Sequence, residues 1–269
     1  MSVRGDANGK RRRRVMPAER REMISEMVRK SGSVTVAALE ETFGISPMTA
    51  RRDLAILEDE GRVKRIHGGA VLPGFARRED SFQRRLEEER EAKERLARAA
   101  LGMLGSGETL FVDSSTTAYY AARLILREGL DATILTNSLP VMSLFTTDEA
   151  PKVSLIGVGG TLRKLTLSFV GPRATEDVEA HFADRAFVSV KGVTPDGYLT
   201  DPDPLEAEVK RAMILHSEEP ILLVDGGKFS QRGLNRIAHI SEVSTVLAAD
   251  APEQRLKEIA AGGTRVRRV

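Results

Sequence analysis

Two groups of residues in this chain have types and spacings that can do chemistry. The first is cationic: Arg51 and Arg52 stand side by side, and Lys64 and Arg65 repeat the pair further on. An arginine forks onto the O6 and N7 of a guanine or clamps a phosphate, and the sequence leaves open which of these each one does. The second group collects hydroxyls, glycines and carboxylates at the ends of short apolar runs: Asp113-Ser114-Ser115-Thr116-Thr117, Thr136-Asn137-Ser138, Gly157 with Gly159-Gly160, and Asp225-Gly226-Gly227-Lys228. At the first of these, hydroxyls and backbone N–H groups at a helix start suit a phosphate, which gains from the orphan donors and the helix dipole. Plainer readings stand beside both groups. Surface cations often only coat a solvated face, and Ser or Thr at such a position often only caps the helix. No GxxxxGK[ST] loop occurs, no GxGxxG follows the first strand, and the 4 histidines are scattered, so neither a cofactor nor a metal is expected.

The element that must position the cations runs from Val34 to Pro73. Ser46 is a good N-cap and Pro47 has the φ suited to a first helical position, so a helix starts at Pro47. On it Ala50, Leu54 and Leu57 share one stripe, while Met48 and Arg52 lie opposite with Thr49 and Arg51 on the flanks. Val36, Leu39 and Phe43 give the preceding helix its own stripe, and Gly44 stands where a helix end needs positive φ before a tight turn. An earlier helix is expected over Ala18 to Lys30, with Met23, Ile24, Met27 and Val28 at helical spacing and Ser31-Gly32 as its stop. After Gly61, RVKRIHGGAVL alternates Val63 with basic residues, turns at Gly68-Gly69 and returns through Ala70-Val71. Three helices and a basic hairpin make a winged helix-turn-helix, a unit shaped to enter DNA.

The second group needs a different scaffold. Pro73-Gly74 opens a linker, and DSFQRRLEEEREAKERLARAALGML follows as a connecting helix with Leu96, Ala100 and Leu104 on one stripe. Its alternating charges leave an oligomer contact open as an alternative role. From Glu108 short apolar strands alternate with amphipathic helices: TLFVD and a helix to Arg127, ATILT and a helix to Phe145, KVSLIG, then RAFVSV, PILLVD and STVLAAD. That alternation predicts a parallel sheet flanked by helices. Ligands bind beyond the carboxyl ends of such strands, so the four polar loops are expected to converge on one rim. The expected organisation is a disordered basic arm over 1–16, a winged domain over 17–73, linker and connecting helix over 74–104, and an α/β effector-sensing domain over 105–269.

Composition limits the function classes. With 269 residues and no cysteine, the chain has neither a disulfide framework nor a thiolate site, which points to a reducing cytoplasm. KRRRR at Lys10 to Arg14 is not followed by an apolar segment, and no run of about 18 apolar residues occurs, so no membrane partner is expected. The net charge of +2 hides an asymmetry. Residues 1–72 hold 15 Lys+Arg against 10 Asp+Glu, or +5, and the remainder hold 26 against 29, or −3. Only the first part suits a polyanion, to which the basic arm adds nonspecific phosphate contacts unless it is only a solvated tail.

The segment SPMTARRDLAILEDEGRVKRIHGGA resembles the N-terminal winged helix-turn-helix of the DeoR family of bacterial transcriptional repressors, over roughly Pro17 to Pro73. The resemblance implies that Met48, Thr49, Arg51 and Arg52 face the major groove, that Arg65 and His67 belong to the wing, and that Ser46 and Lys64 lie near phosphates. Taken by itself, His67 is equally a turn residue. DSSTT, TNS, GGTLRKLTLSFVG, DRAFVSVKGV, EAEVKRAMI and LLVDGGKF are similar to the sensor domain of the same family, over about Asp80 to Asp250. The family's sensor is similar in fold to ribose-5-phosphate isomerase and binds a phosphorylated sugar that releases the repressor from its operator. Carried onto matching positions, Asp113, Ser114, Ser115, Thr116 and Thr117 hold the phosphate, Asn137, Gly160, Asp225 and Lys228 lie nearby, and Lys210 approaches the site. Three positions depart from the family pattern: Ser115 replaces the glycine of DSGTT, Gly227 precedes Lys228-Phe229 where SKF is usual, and Lys191 stands where a small or neutral residue is common. A lysine there is solvated or adds a point charge toward an anionic ligand.

The chain is therefore read as a DNA-binding repressor of carbohydrate-metabolism genes, relieved by a phosphorylated sugar. It is expected to work as a homo-oligomer, because one small winged domain seldom supplies enough affinity alone. A phosphosugar isomerase-like enzyme with an accessory DNA-binding domain is the alternative, and it needs a base from Asp113, Asp201, Asp203, Glu206 or Asp225. A third reading, an architectural nucleic-acid binder, predicts no effector at all.

Overall fold

The computed structural model describes residues 16–31, 33–66, 68–71, 80–146 and 152–269. The chain divides into two compact units, Met1–Ala76 and Arg77–Val269. The basic arm apart from Met16, the linker at Pro73-Gly74, and His67 lie outside the described residues.

In the first unit α1 (Pro17–Ser31), β1 (Ser33–Thr35), α2 (Val36–Phe43), α3 (Pro47–Asp59), β2 (Lys64–Ile66) and β3 (Gly69–Val71) follow in order. Local chemistry starts and stops the helices. Thr35 caps α2 by accepting from the Ala38 N–H, and Gly44 closes that helix in the left-handed region at φ 63. Ser46 caps α3 by accepting from the Thr49 N–H at 3.3 Å, with Pro47 in the first turn. Ile24, Val28, Leu39, Ala50, Leu54 and Leu57 form the core, each large one contributing roughly 1.5–3 kcal/mol by leaving water. Met23, expected in the first stripe, is exposed instead, since the contact face of α1 runs through Ile24 and Val28. A buried Arg20–Asp53 pair at 2.6 Å ties α1 to α3, and Arg62 binds both oxygens of Glu22 at 2.6 and 2.7 Å. The wing is antiparallel as expected, but β3 pairs on its other side with β1, a strand too short to read from sequence.

The second unit contains α4 (Phe82–Glu87), α5 (Arg90–Leu101), β4 (Glu108–Val112), α6 (Thr116–Glu128), β5 (Ala132–Thr136), α7 (Leu139–Leu144), β6 (Val153–Gly157), β7 (Thr161–Arg163), β8 (Ser168–Val170), α8 (Pro172–Glu179), β9 (Ala183–Val188), β10 (Gly192–Val193), β11 (Tyr198–Asp201), α9 (Pro204–Leu215), β12 (Ser217–Asp225), β13 (Asn235–His239), β14 (Thr245–Ala249), α10 (Glu253–Ala261) and β15 (Arg265–Arg268). Seven parallel strands form the main sheet in the order β15-β14-β12-β9-β4-β5-β6. Alternate strand residues feed two cores. Leu110, Val112, Ile134, Phe187 and Leu223 pack under α5 and α6, while Phe111, Leu135, Val188, Leu222 and Val224 pack under α8, α9 and α10. Two-sided burial explains why these strands read as continuous apolar runs.

The segment read as one connecting helix is two, α4 and α5, broken at Glu88-Glu89, with Glu89 in the left-handed region at φ 47. Both belong to the second unit. Ala92, Leu96 and Ala100 of α5 are buried against α6 and the sheet.

The chain order of the sheet reverses between β4 and β9. From β4 it runs outward through β5 and β6, then resumes at β9 on the other side and continues through β12, β14 and β15. Such a switch point leaves a crevice at the carboxyl ends, because the flanking loops diverge to opposite sides.

Candidate functional site

On α3 the structure separates a buried stripe from an open one. Ala50, Asp53, Leu54 and Leu57 are buried. Met48 is 71% exposed, Arg51 and Arg52 are exposed, and Thr49 is half-buried with its hydroxyl 3.0 Å from that of Ser46. Met48, Arg51 and Arg52 therefore share one exposed helical surface, with half-buried Thr49 at its edge. Arg65 is placed otherwise. Its backbone N–H and its Nε donate to the two carboxylate oxygens of Glu58 at 2.9 and 2.7 Å, so it reaches a phosphate only by sharing or leaving that partner. Lys64 takes its place in β2 through the backbone.

In the second unit a cavity of about 590 Å³ opens at the switch point, within the range of small-ligand sites. Of the predicted residues, Ser115, Thr117, Lys191, Lys210, Asp225 and Lys228 line it. Asp113, Ser114, Thr116, Asn137 and Gly160 do not.

Four of these five exclusions have a physical reason in what the residue meets. The carboxylate of Asp113 is wholly buried, accepts from the N–H groups of Ser115 and Ser189 at 2.9 Å each, and faces Lys210 at 3.6 Å. It fixes the β4 and β9 loops to one another. Ser114 donates to Glu206 at 2.8 Å, Ser168 donates to the other oxygen of Glu206 at 2.5 Å, and these bonds fasten α9 to the β4 loop and the β7–β8 hairpin. That hairpin also covers the loops after β5 and β6. Asn137 donates to the Phe169 carbonyl at 2.9 Å, and a Cβ on Gly160 would meet the Val170 carbonyl oxygen at 2.8 Å. The expectation that four strand-end loops share one rim is thus corrected. The loops after β4 and β12 reach the cavity, the loop after β9 joins them through Ser189, Val190 and Lys191, and those after β5 and β6 are sealed by the hairpin.

Two kinds of donor face the cavity. At the start of α6, Ser115 caps the helix by accepting from Ala118 N–H at 3.1 Å, and the N–H of the cavity-lining Thr117 has no intrahelical acceptor. The others are cationic. Lys210 donates to Asp201 at 2.8 Å and to the Ser189 carbonyl at 3.0 Å. Burial works against its charge, but Asp201, Asp113 and Glu206 outweigh burial, and its pKa is raised. Lys228 is lowered by burial, with Lys191, Arg85 and Lys210 repelling it and Asp225 opposing the fall. Sequence reasoning missed Arg84, Arg85, Lys93, Ser189 and Gln231 on this wall. Ser189 lies within the RAFVSV run, directly after the last residue of β9, and was open to the strand-end rule, whereas Lys93 sits in an alternating charge pattern that carries no such signal.

The carboxylates invoked for an enzyme are all engaged. Asp203 accepts from the Leu205 and Glu206 N–H groups and pairs with Arg163 at 3.1 Å, and Asp225 accepts from Gly227 N–H at 2.9 Å. Asp113, Asp201 and Glu206 are buried and held as described above. Among the described residues no cluster of metal-ligating side chains occurs, and no helix is long and apolar enough to cross a membrane.

A winged helix-turn-helix followed by an α/β unit with a ligand-sized cavity defines a sensor-coupled DNA-binding regulator. The DeoR-like helix-turn-helix domain matches residues 20–74 and the DeoR C terminal sensor domain matches residues 88–249. The chain belongs to the DeoR family of transcriptional regulators. It is 32% identical to the uncharacterized HTH-type transcriptional regulator YulB of Bacillus subtilis, covering 87% of this chain and 89% of the relative. It is 32% identical to the glycerol-3-phosphate regulon repressor of Escherichia coli, covering 87% and 91%, and 29% identical to that organism's L-fucose operon activator, covering 87% and 95%. Among solved structures, ribose 5-phosphate isomerase A from Methanocaldococcus jannaschii overlaps 53% of this chain and 55% of its own at 15% identity, with a TM-score of 0.38.

Proposed function

We propose that this regulator is a repressor of carbohydrate-metabolism genes whose operator binding is relieved by a phosphorylated sugar held in the cavity at the switch point. The observation that carries the ligand class is the wall itself, which joins the α6 N-terminus and the hydroxyls of Ser115 and Thr117 to the cations Lys191 and Lys228. Helix-terminal N–H groups and cations suit the phosphate, and the carboxylates of Asp201 and Asp225 suit sugar hydroxyls. Asp113, Ser114 and Thr116 support that site from behind.

On the DNA side, Met48, Thr49, Arg51 and Arg52 enter the major groove, Ser46 and Lys64 approach phosphates, and Arg65 with His67 forms the wing contact. The protein acts in the cytoplasm as a homo-oligomer, so that paired winged domains meet paired half-sites. The engaged carboxylates and the regulator names of its relatives weigh against the isomerase-like enzyme.

Operator titration with the DNA upstream of the regulated genes, repeated with a panel of phosphorylated sugars and glycerol 3-phosphate, tests this. One compound is expected to lower operator affinity and raise the melting temperature of the α/β unit. Indifference of both to the whole panel rejects the reading, and steady turnover of any member revives the enzyme. Because one relative is named an activator, in vitro transcription with and without the protein decides the sign of regulation.

A further inference from the structure

The wall contributed by α4 and α5 differs from the strand-end loops in leaving a cation unsatisfied. Arg85, on α4, has two guanidinium nitrogens, Nε and Nη2, that are buried and meet no hydrogen-bond acceptor, and it lines the cavity. Two neighbouring carboxylates are committed elsewhere: Asp80 and Glu88 pair with Arg84 at 3.1 and 3.4 Å. Lys93, on α5, is 4% exposed, and its ammonium donates to the carbonyls of Arg85 and Glu88. Burial first, then the nearby Lys228, brings Lys93 down to about 8. Unpaired buried donors are costly, and repelling cations add to that cost. A bound anion relieves both, and a guanidinium fork matches the oxygens of a phosphate.

The seat of α4 is also slight. The helix spans 6 residues, too few to be stable alone. It rests on Phe82, packed edge-on to Tyr119, on the Phe82 N–H bond to the Leu165 carbonyl at 2.9 Å, on the Tyr120 hydroxyl bond to the Leu86 carbonyl at 3.2 Å, and on the Lys93 ammonium bond to the Arg85 carbonyl.

We propose that Arg85 and Lys93 are ligands of the bound anion, so that the effector holds α4 as well as the strand-end loops and its binding latches α4 onto the α/β unit. This rests on the anion-sensing reading given above. In chain order α4 is the first described helix after the DNA-reading unit. A ligand shifts an equilibrium only by its differential affinity for the two states. The contact with Arg85 supplies that difference, because it exists only when α4 is seated.

Hydrogen exchange on the full chain, with and without inorganic phosphate at ionic strength matched by sodium chloride, tests the latch. Phosphate is expected to slow exchange over 82–87 and in the first turn of α6. Arg85→Gln should abolish the phosphate effect over 82–87, keep it in α6, and weaken phosphate binding about ten-fold, with Arg85→Lys regaining part of the loss. A purely structural role for Arg85 predicts faster α4 exchange in the variant with the phosphate effect intact, and that result overturns the latch. So does protection of the α6 turn alone in the wild type, which leaves the anion site standing. No phosphate effect at any cavity amide overturns the anion reading and the latch together.

Discussion

The two units solve recognition in opposite ways. The DNA-reading unit places Met48, Thr49, Arg51 and Arg52 on one helix and leaves Met48, Arg51 and Arg52 open to solvent. The cavity gathers its residues from α4, α5, α6, α9, β11 and the loops after β9 and β12, and most of them are bonded to one another. A reader of DNA needs only one stable helix presented on a small core. A sensor that must change state needs side chains whose partners can be exchanged, and therefore a network.

The most severe way to break that contrast is Lys210→Met. It leaves Asp201 and Asp113 buried without their cation, at a cost of about 3–5 kcal/mol. Calorimetry should show the α/β unit melting earlier while the first unit keeps its own transition; a common shift of both would contradict their independence. Next comes Arg52→Ala, expected to weaken operator binding about ten-fold or more with phosphosugar affinity unchanged, measured by parallel titrations. Loss of both activities in a folded variant would dissolve the division of labour.

A pH series sharpens the sensor side. Lys93 has its pKa depressed to about 8 from an ordinary 10.5, by burial first, then Lys228, with Arg85 adding to the fall and Asp225 and Glu88 opposing it. The unfolded chain therefore holds more protons between those values, and stability should rise with pH across that window. Anion affinity should run the other way. Phosphate is already a dianion above a pH of about 7, so affinity should fall several-fold as pH passes 8 and Lys93 loses its proton, as read by calorimetric titration. Lys93→Gln should flatten that slope, and an unchanged slope would remove Lys93 from the site. The smallest effect is expected from Ser46→Ala, which removes the α3 cap and costs about 1 kcal/mol in the thermal melt of the first unit alone.

Legibility follows the same division. The start of α3 is written in Ser46-Pro47 and its inward stripe in Ala50, Leu54 and Leu57, and all of these are where their spacing predicts. Met23 shows the limit, since a helical stripe does not say which of its edges meets the neighbour. In the α/β unit the strands and their polar ends were visible one by one. That Asn137 and Gly160 face the hairpin while Ser189 faces the cavity was not, because each loop's neighbour depends on strand order. Asp113 and Ser114 illustrate a second limit. A carboxylate or hydroxyl beside a helix start serves a ligand or a neighbouring loop with the same chemistry, and only its partners, Ser189 N–H and Glu206, tell which.

By itself the sequence determined the three helices and hairpin of the first unit, two of their caps, six of the seven strands of the main sheet with the alternation that makes it parallel, and the cations of a DNA-reading helix, all properties of residues close in the chain. Tertiary structure decided where the order β15-β14-β12-β9-β4-β5-β6 reverses, and so where the cavity lies. It also decided that Arg85 and Lys93, in a stretch that reads as a connector, belong to the cavity wall. The reason is physical: caps and periodicity act over one or two helical turns, whereas a crevice between β4 and β9 exists only after strands distant in sequence have paired.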